Sequence, residues 1–426
     1  MSNLKAVRGT RDLLPPETAL WNRIEATARQ VFARYNFGEI RTPVFEDTAL
    51  FARGVGEETD IVSKEMYTWE DRARAQSEKT QTLTLRPENT AGVVRAYIEH
   101  KLGETGQLQK LYYIGPQFRR ERPQKGRYRQ FSQIGAEVIG PPSAGSESPL
   151  RDAEVLEMLA TLLDELGIAG WTLHLNSVGS AADRARYNEV LRAALIPLAP
   201  TMCVDCQRRA VTNPLRVLDC KVPEDQPIIE TLPKIVDSLD EASKAHFAAV
   251  LAALDVAGVP YTRNHRLVRG LDYYTRTTFE FTHGGLGAQN ALLGGGRYDG
   301  LSEAIGGPKA PGIGFAMGED RLVLTLQALE AAVPEKKDAY IAPLGENLNP
   351  AALALARELR RGGLSVELGD GSFRLKKSFE TADKIARRIV ILGEDELASG
   401  ILTVKDFASG TQTKVPRAEL AQSLAR

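Results

Sequence analysis

The chain carries the segment Phe118-Arg119-Arg120-Glu121-Arg122-Pro123-Gln124-Lys125-Gly126-Arg127-Tyr128-Arg129-Gln130-Phe131. Between Arg119 and Arg129 it holds six cations and one anion, a local charge of +5. Because Leu111–Ile114 and Arg129–Ile139 both have the composition of strands, we predict a hairpin with a long loop rich in Pro and Gly. Its arginines can offer planar guanidinium forks to phosphate groups. Taken alone, the segment is equally compatible with a solvated basic loop.

The overall composition is that of an ordinary globular protein: 426 residues, 43% of them hydrophobic, with a formal net charge of −1. This balance removes the case for a globally basic nucleic-acid-binding protein and leaves local patches. At roughly 150 residues per domain, the length predicts two or three domains. The longest apolar run, Phe247–Leu254, is far shorter than the ~20 residues of a membrane span, and the N-terminus lacks the apolar region of a secretory signal. With three cysteines, we expect a reduced, cytoplasmic protein.

Hydrophobic periodicity divides the chain into regions that differ in their predicted secondary structure. We predict a helix over residues 15–35, a short strand over Phe37–Phe45, and strand signals that return from Leu267. Residues from about 178 to 258 are mostly helical. After a linker at residues 331–337, strands and helices alternate over residues 338–426, with one helix predicted at Leu375–Arg388; this alternation indicates a compact α/β module.

Six further segments, together with the basic hairpin, form a set of sequence motifs. In chain order they are Val7–Asp12 (VRGTRD), Glu39–Glu46 (EIRTPVFE), Leu85–Thr90 (LRPENT), Leu267–Tyr274 (LVRGLDYY), Gly294–Leu301 (GGGRYDGL) and Gly312–Arg321 (GIGFAMGEDR). With Phe118–Phe131 as motif 2, Glu39–Glu46 as motif 1 and Gly312–Arg321 as motif 3, the chain resembles the class II aminoacyl-tRNA synthetases. The form of motif 2 and the LVRGLDYY segment resemble the histidine–tRNA ligases in particular.

This resemblance implies an α+β fold: the class II antiparallel sheet with flanking helices, a helical insertion, and a C-terminal α/β anticodon-binding domain. The implied domains are a catalytic domain at residues 1–330, containing the insertion at about 178–258, then the linker and the anticodon-binding domain at residues 338–426. Motif 1 implies a homodimer. The main rival is the non-catalytic paralogue that regulates histidine biosynthesis, which typically lacks the C-terminal module and parts of the RGLDYY signature. Another class II synthetase conflicts with the same signature.

The implied reaction joins histidine to ATP as histidyl-adenylate and then transfers histidine to tRNA(His), so the catalyst must align two anions and stabilise developing charge. The resemblance assigns catalysis to Arg119, Arg269 and Arg321. It assigns histidine binding to Glu88, Asn89, Thr90, Arg119, Gln133, Glu137, Arg269, Tyr273 and Tyr274. It assigns ATP binding to Arg119, Glu121, Arg127, Arg269, Gly318 and Arg321. The loop at the tRNA acceptor end comprises Arg122, Gln124, Lys125 and Arg127.

Several of these residues also have structural interpretations. Gln133 and Glu137 are four apart, so on a strand they point the same way, although Glu137 could equally be a salt-bridged strand residue. Arg321, at a predicted helix start, could form a surface ion pair. Leu267 and Leu271 predict a strand with Arg269 on their face. Asn89 and Ser132 stand where Gly and His are common in the family.

Two features remain outside the motifs. Cys203, Cys206 and Cys220 could supply three thiolates, but a structural zinc requires a fourth ligand and His246 is distant in sequence, so we expect no protein-bound zinc. The resemblance implies ATP with Mg²⁺ as the cofactor. The partners it implies are tRNA(His), L-histidine, ATP and a second copy of the chain, and we expect no membrane association. Residues 372–390 carry a charge of +4, which predicts RNA contact or, alternatively, a solvated helix face with internal pairs.

Overall fold

The computed structural model describes residues 4–56, 59–71, 80–124, 126–268, 270–286, 290–329 and 336–425. Two predicted site residues, Lys125 and Arg269, and most of the predicted linker lie outside the described residues. The chain divides into two compact units, Met1–Ala332 and Val333–Arg426. Among the described residues, no helix has both the length and the apolar character needed to cross a bilayer.

The first unit combines strands and helices throughout. Its strands are β1 (Gly38–Glu39), β2 (Phe45–Asp47), β3 (Tyr67–Asp71), β4 (Gln81–Leu85), β5 (Gln109–Phe118), β6 (Gln130–Ile139), β7 (Trp171–Ser177), β8 (Thr262–Arg263), β9 (Thr275–His283), β10 (Ala291–Arg297) and β11 (Gly312–Gly318). Its α-helices are α1 (Glu17–Arg34), α2 (Thr48–Val55), α3 (Thr90–Glu99), α4 (Pro149–Glu165), α5 (Ala181–Leu195), α6 (Val204–Thr212), α7 (Gln226–Glu230), α8 (Glu241–Ala257), α9 (Leu301–Ala304) and α10 (Glu319–Ala328).

An eight-stranded sheet of order β1-β5-β6-β11-β10-β9-β7-β8 is the frame of this unit in the described residues. Neighbouring strands are antiparallel except for the outer pairs β1–β5 and β7–β8. Alternation along the strands separates two faces. On β6, Ile134, Ala136 and Val138 join the main hydrophobic core with residues of α1, α4, α8 and α10. The opposite face, which carries Gln133 and Glu137, is left for a binding site. The predicted antiparallel sheet with flanking helices is confirmed.

The predicted helical insertion has its own hydrophobic core, which runs from Val178 to Leu239. Helix α8 belongs to the main core instead, through Val250, Leu251 and Leu254. The independent part of the insertion is therefore shorter than the predicted 178–258. Its core includes Cys206 and Cys220, and the carboxylate of Asp225 lies with the three cysteines in one cluster. The expectation that the cysteines lack a fourth partner is thus wrong.

The second unit is a five-stranded mixed sheet with helices. Its strands are β12 (Lys337–Pro343), β13 (Val366–Leu368), β14 (Ala386–Leu392), β15 (Ile401–Asp406) and β16 (Gln412–Pro416), in the order β13-β12-β14-β15-β16. Its helices are α11 (Asn349–Arg361), α12 (Leu375–Ile385), α13 (Glu394–Ser399) and α14 (Arg417–Ala425). The helix predicted at Leu375–Arg388 therefore ends at Ile385, because Ala386–Arg388 pair with β12 and β15.

Two predictions in the first unit are also corrected. The single strand predicted at Phe37–Phe45 is instead two short strands, β1 and β2, with Pro43 between them, where proline has no N–H for a ladder bond. The described residues around Arg269 are bends and irregular backbone, not the predicted strand.

Candidate active site

A cavity of about 460 Å³ lies on the face of the large sheet opposite the core helices. Its floor is formed by β6, β10 and β11, and its walls by the starts of α3 and α10 and by the basic loop after β5. Cavities of this size suit small-molecule substrates. The predicted residues that line it are Glu88, Thr90, Arg119, Glu121, Arg127, Gln133, Glu137, Tyr273, Tyr274, Gly318 and Arg321.

The loop before α3 places an acidic group on the cavity wall. The carboxylate of Glu88 accepts hydrogen bonds from the backbone N–H groups of Thr90 (2.8 Å) and Ala91 (3.0 Å). Both groups belong to the first turn of α3, which would otherwise lack acceptors. Burial raises the pKa of Glu88, and these backbone hydrogen bonds oppose the rise. Glu88 thus caps the helix and offers its remaining lone pairs to the cavity.

Glu137 is fully buried at the bottom of the cavity. Its Oε1 accepts a hydrogen bond from the Thr90 hydroxyl at 2.8 Å. Burial raises its pKa to about 8, and the Thr90 hydrogen bond only partly offsets the rise. A Cβ at Gly314, on the neighbouring strand β11, would lie 1.7 Å from Glu137 Oε2, so only glycine leaves room for this carboxyl group.

Gln133 lies on the same face of β6 as Glu137, as the four-residue spacing predicts. Both line the cavity. Gln133 Oε1 is buried and has no hydrogen-bond partner among the described residues. A buried amide oxygen without a partner is costly, so it is available to a donor on a bound ligand.

Two arginines approach the cavity from different elements. Arg119 follows β5, donates from Nε to the carbonyl of Pro87 at 2.9 Å, and its guanidinium carbon lies 5.3 Å from the centroid of the Phe131 ring. Arg321 lies in the first turn of α10 and donates from Nη1 to the carbonyl of Ala291 at 2.6 Å. These contacts fix the two side chains before any substrate binds. Arg321 lines the cavity wall, and its assignment to ATP stays a prediction.

The basic loop closes on itself at its tip. Backbone hydrogen bonds join Gln124 and Arg127 in both directions, at 3.1 and 2.9 Å. The Arg127 guanidinium pairs with Glu121 at 3.3 Å, and both face the cavity. Arg122 and Gln124 are not among the lining residues. Both residues are exposed.

The N-terminal VRGTRD segment supports this loop, a function that the sequence pattern alone did not reveal. The backbone N–H of Arg129 donates to the carbonyl of Gly9 at 2.7 Å. Arg11 pairs with Asp320 at 2.8 Å and lies over the Tyr128 ring at 4.8 Å from its centroid. Arg11 therefore connects motif 2 to the start of α10, which carries Arg321.

The Asn89 side chain does not line the cavity, although the sequence assigned it to histidine binding. Its side-chain oxygen accepts hydrogen bonds from the Thr42 hydroxyl (2.6 Å) and from Arg86 (3.4 Å). The prediction for Asn89 is corrected accordingly, because its acceptor is used by residues behind the loop. Near Ser132, burial raises the pKa of Glu319 to about 8, and the Ser132 side chain opposes the rise.

Two tyrosines that line the cavity, Tyr113 and Tyr298, were not predicted as site residues from the sequence. Tyr113 lies opposite Gly135 on β6, and a Cβ at that glycine would collide with its ring. Tyr298, within the GGGRYDG segment, is buried and packs beside Tyr273. Burial raises the pKa of both phenols well above the usual value. The signal for Tyr298 was its place in a glycine-rich motif; Tyr113, in an ordinary strand, gave none.

The first three glycines of that motif, Gly294–Gly296, lie in β10. A Cβ at Gly295 would lie 2.1 Å from the carbonyl oxygen of Gly314, and one at Gly296 would lie 2.6 Å from that of Thr277. These two glycines permit close strand packing, while Gly294 lines the cavity.

In the second unit, the predicted basic patch is divided between two elements. Arg387 pairs with Asp338, and Arg388 pairs with Asp406 at 2.9 Å, both within the unit. Arg374, at the N-cap of α12, and Lys376, Lys377 and Lys384 on the helix are exposed. The available charge therefore lies on α12.

Comparison with known proteins identifies families and individual proteins that are similar to this chain. A family model described as histidyl-tRNA synthetase matches residues 9–322, and one described as an anticodon binding domain matches residues 338–426. A histidine–tRNA ligase from Koribacter versatilis is 75% identical over 419 residues, which are 98% of this chain and 95% of that protein. The chain belongs to the histidyl-tRNA synthetase family.

Other histidyl-tRNA synthetases are similar to this chain along its whole length. The histidine–tRNA ligase of Solibacter usitatus is 57% identical over 423 residues, 99% of each chain. The crystal structure of the apo histidyl-tRNA synthetase of S. aureus matches with a TM-score of 0.79 at 37% identity and covers 100% of both chains. The family resemblance and the class II α+β fold are thereby confirmed. Members of this family use ATP and Mg²⁺.

Proposed function

We propose that this protein attaches L-histidine to the 3′-terminal adenosine of tRNA(His) in two steps. A histidine carboxylate oxygen attacks the α-phosphorus of ATP; the bond to the β-phosphate oxygen breaks, and diphosphate leaves. A ribose hydroxyl of the terminal adenosine then attacks the carbonyl carbon of histidyl-adenylate, and AMP leaves. The observation that carries this proposal is that Arg119 and Arg321 share one cavity with Glu88, Gln133 and Glu137.

In the first step the protein must hold two anions together. Arg119 is assigned to the α-phosphate and Arg321 to the far phosphates, and their held positions reduce the reorganisation needed in the transition state. Glu121 and Arg127 would contact ATP, which enters with Mg²⁺ as substrate, and Gly318 would allow its close approach beside α10. Arg269, from the family resemblance, is assigned to the α-phosphate and the histidine carboxylate.

Recognition of histidine requires partners for an ammonium group and two ring nitrogens. Glu88, Thr90 and Gln133 are assigned to the ammonium group, supported by the acidic wall and the unpartnered Gln133 oxygen. Glu137 and Tyr274 are assigned to the ring, with Tyr273 packed against Tyr274 at 4.8 Å between ring centroids. An amino acid without an imidazole would leave Glu137 buried without its partner, which gives strong rejection.

The tRNA would contact both units. Arg122, Gln124, Lys125 and Arg127 are assigned to the acceptor end, next to the cavity where the adenylate forms. The exposed cations of α12 are assigned to RNA in the anticodon-binding domain. Because ATP and tRNA are the substrates of translation, a cytoplasmic location is part of the proposal.

A homodimer is also part of the proposal. The motif 1 segment contains the exposed Val44 and Phe45, and Phe45 contacts Trp69, which is also exposed, with 6.0 Å between ring centroids. Neighbouring exposed apolar side chains of this kind favour a protein interface. Light scattering should give twice the chain mass of 46.6 kDa. A monomer at micromolar concentration would contradict this part alone.

The central test measures the exchange of diphosphate into ATP in the presence of each of the twenty amino acids in turn. Charging of tRNA(His) with histidine is measured next. We expect exchange with histidine and charging of that tRNA. Exchange with another amino acid, or none at all in a folded protein, would overturn the proposal. The absence of both activities would favour the regulatory paralogue.

A further inference from the structure

Four potential metal ligands, none of which lines the catalytic cavity, converge in the helical insertion. They are Cys203, Cys206, Cys220 and Asp225, and their ligating atoms all lie within 4.8 Å of one another. Cys206, Cys220 and Asp225 are buried, and Cys203 is partly buried. The sequence offered three of these ligands; the fold supplies the fourth.

The backbone holds the four groups in place. Cys203 is the N-cap residue of α6 and Cys206 lies in its first turn, so one short stretch of backbone sets the positions of both sulfurs. The backbone N–H of Cys203 donates to both carboxylate oxygens of Asp225, at 3.1 and 3.3 Å. The backbone N–H of Val222 lies 3.4 Å from Cys220 Sγ. Asp225 is thus aimed at the thiols and not at solvent.

The separations suit a tetrahedral ion. Zinc–sulfur bonds of about 2.3 Å place two sulfurs about 3.8 Å apart in a tetrahedron, and a zinc–oxygen bond of about 2.1 Å places oxygen roughly 3.6 Å from sulfur. Cys203 Sγ and Cys220 Sγ are 3.9 Å apart, and Cys220 Sγ lies 3.3 Å from Asp225 Oδ2. Small side-chain movements would complete the coordination.

We propose that Cys203, Cys206, Cys220 and Asp225 bind a structural Zn²⁺ ion. Thiolates select zinc over the hard cations Mg²⁺ and Ca²⁺, and four protein ligands leave no position for a substrate, so the site is structural. This reverses the expectation from sequence that the protein holds no zinc.

The ion would connect α6 to the segment that runs from Cys220 to Asp225. Only four residues before Cys220 lies Arg216, which lines the catalytic cavity and lies 3.6 Å from Asp60. The core of the insertion is small, and a structural metal adds stability where the apolar core is limited. Zinc would therefore stabilise the segment that carries Arg216 to the cavity.

The experiment measures zinc in the full-length protein, purified without chelators under reducing conditions. Elemental analysis should give one zinc per chain, and exchange into Co²⁺ should produce the charge-transfer and visible bands of a tetrahedral cobalt–thiolate site. Cys206→Ser and Asp225→Asn should lower the zinc content and weaken or shift the cobalt bands. Glu224→Gln, which changes the exposed carboxylate next to Asp225, should retain one zinc.

The cobalt spectrum of the wild-type protein tests the site even if the cysteine variant fails to fold. Tyr187→Phe removes a hydrogen bond of 2.7 Å to Pro233 within the same core and controls for general loosening, so it should keep its zinc. The proposal is overturned if the reduced wild-type protein contains no zinc and gives no cobalt–thiolate bands. It is equally overturned if mass spectrometry of the native protein shows a Cys203–Cys220 disulfide.

Discussion

Replacing Glu137 by glutamine should stabilise the ligand-free protein and at the same time remove its activity toward histidine. The carboxyl group is fully buried, and burial raises its pKa from 4.5 to about 8. Between these values the folded state keeps a proton that the unfolded state has lost. The free energy of unfolding therefore falls as pH rises through this window and levels off above pH 8. Glutamine, which carries no charge in either state, avoids this loss.

The size of the effect follows from the same shift. Each pH unit within the window changes the difference between the two proteins by about 1.4 kcal/mol, so from pH 5 to pH 8 it should grow by roughly 4 kcal/mol in favour of Glu137→Gln. The amide can still accept the Thr90 hydroxyl, so the packing is retained. Histidine-dependent diphosphate exchange should fall by about 10²-fold, because the amide offers the ring a different set of donors and acceptors from the carboxyl group.

Differential scanning calorimetry of the ligand-free proteins at pH 5, 6, 7 and 8 measures this difference in the transition of the first unit. Glu104→Gln is the matched control, since its side chain is 73% exposed and its ion-pair partner Lys101 lies 3.6 Å away. Added histidine should raise the transition temperature of the wild type but not of Glu137→Gln. A stability difference that stays constant from pH 5 to pH 8 would refute the reasoning.

Three other predictions address separate parts of the site. Arg119→Lys should slow adenylation by about 10²-fold, because a point charge cannot replace the guanidinium fork; unchanged single-turnover rates would contradict this. Arg269→Ala should slow adenylation by roughly 10²–10³ with partial rescue by lysine, while exchange within a few-fold of wild type would remove Arg269 from catalysis. A chain ending at Ala332, the boundary of the first unit, should retain most adenylation and lose tRNA charging. Equal loss of both activities in a well-folded truncation would argue against this division.

Long periodic elements were predictable because local pattern and tertiary packing agree in them. The predicted 15–35 helix is α1, and the strand expected at Arg129–Ile139 is β6. Shorter elements were decided by their neighbours. Ala386–Arg388 continue a helical pattern in the sequence, yet pairing with strands on both sides draws them into β14.

In the site, too, residues positioned by local structure were predictable, whereas residues positioned by contacts distant in sequence were not. Gln133 and Glu137 could be placed together because two-residue alternation along one strand sets their direction. Asn89 could not, because its partner Thr42 is 47 residues away in sequence. Asp225 was missed for a related reason: it joins the cysteines only when the turn after Cys220 folds back on α6.

The contacts of Arg86 connect the proposed subunit interface to the proposed amino-acid site. Its buried guanidinium donates to the carbonyl and to the hydroxyl of Thr42, both at 2.9 Å, and to the carbonyl of Pro116 at 2.9 Å. Thr42 belongs to the motif 1 segment, and its hydroxyl in turn donates to Asn89, at the start of α3. The next residues along the chain are Thr90, which binds Glu137, and the helix turn that Glu88 caps. The Asn89 side chain therefore joins the motif 1 segment to the start of α3 by a hydrogen bond. A partner subunit that orders the motif 1 segment would by the same contacts order the loop that carries Glu88, which is proposed to hold the histidine ammonium group.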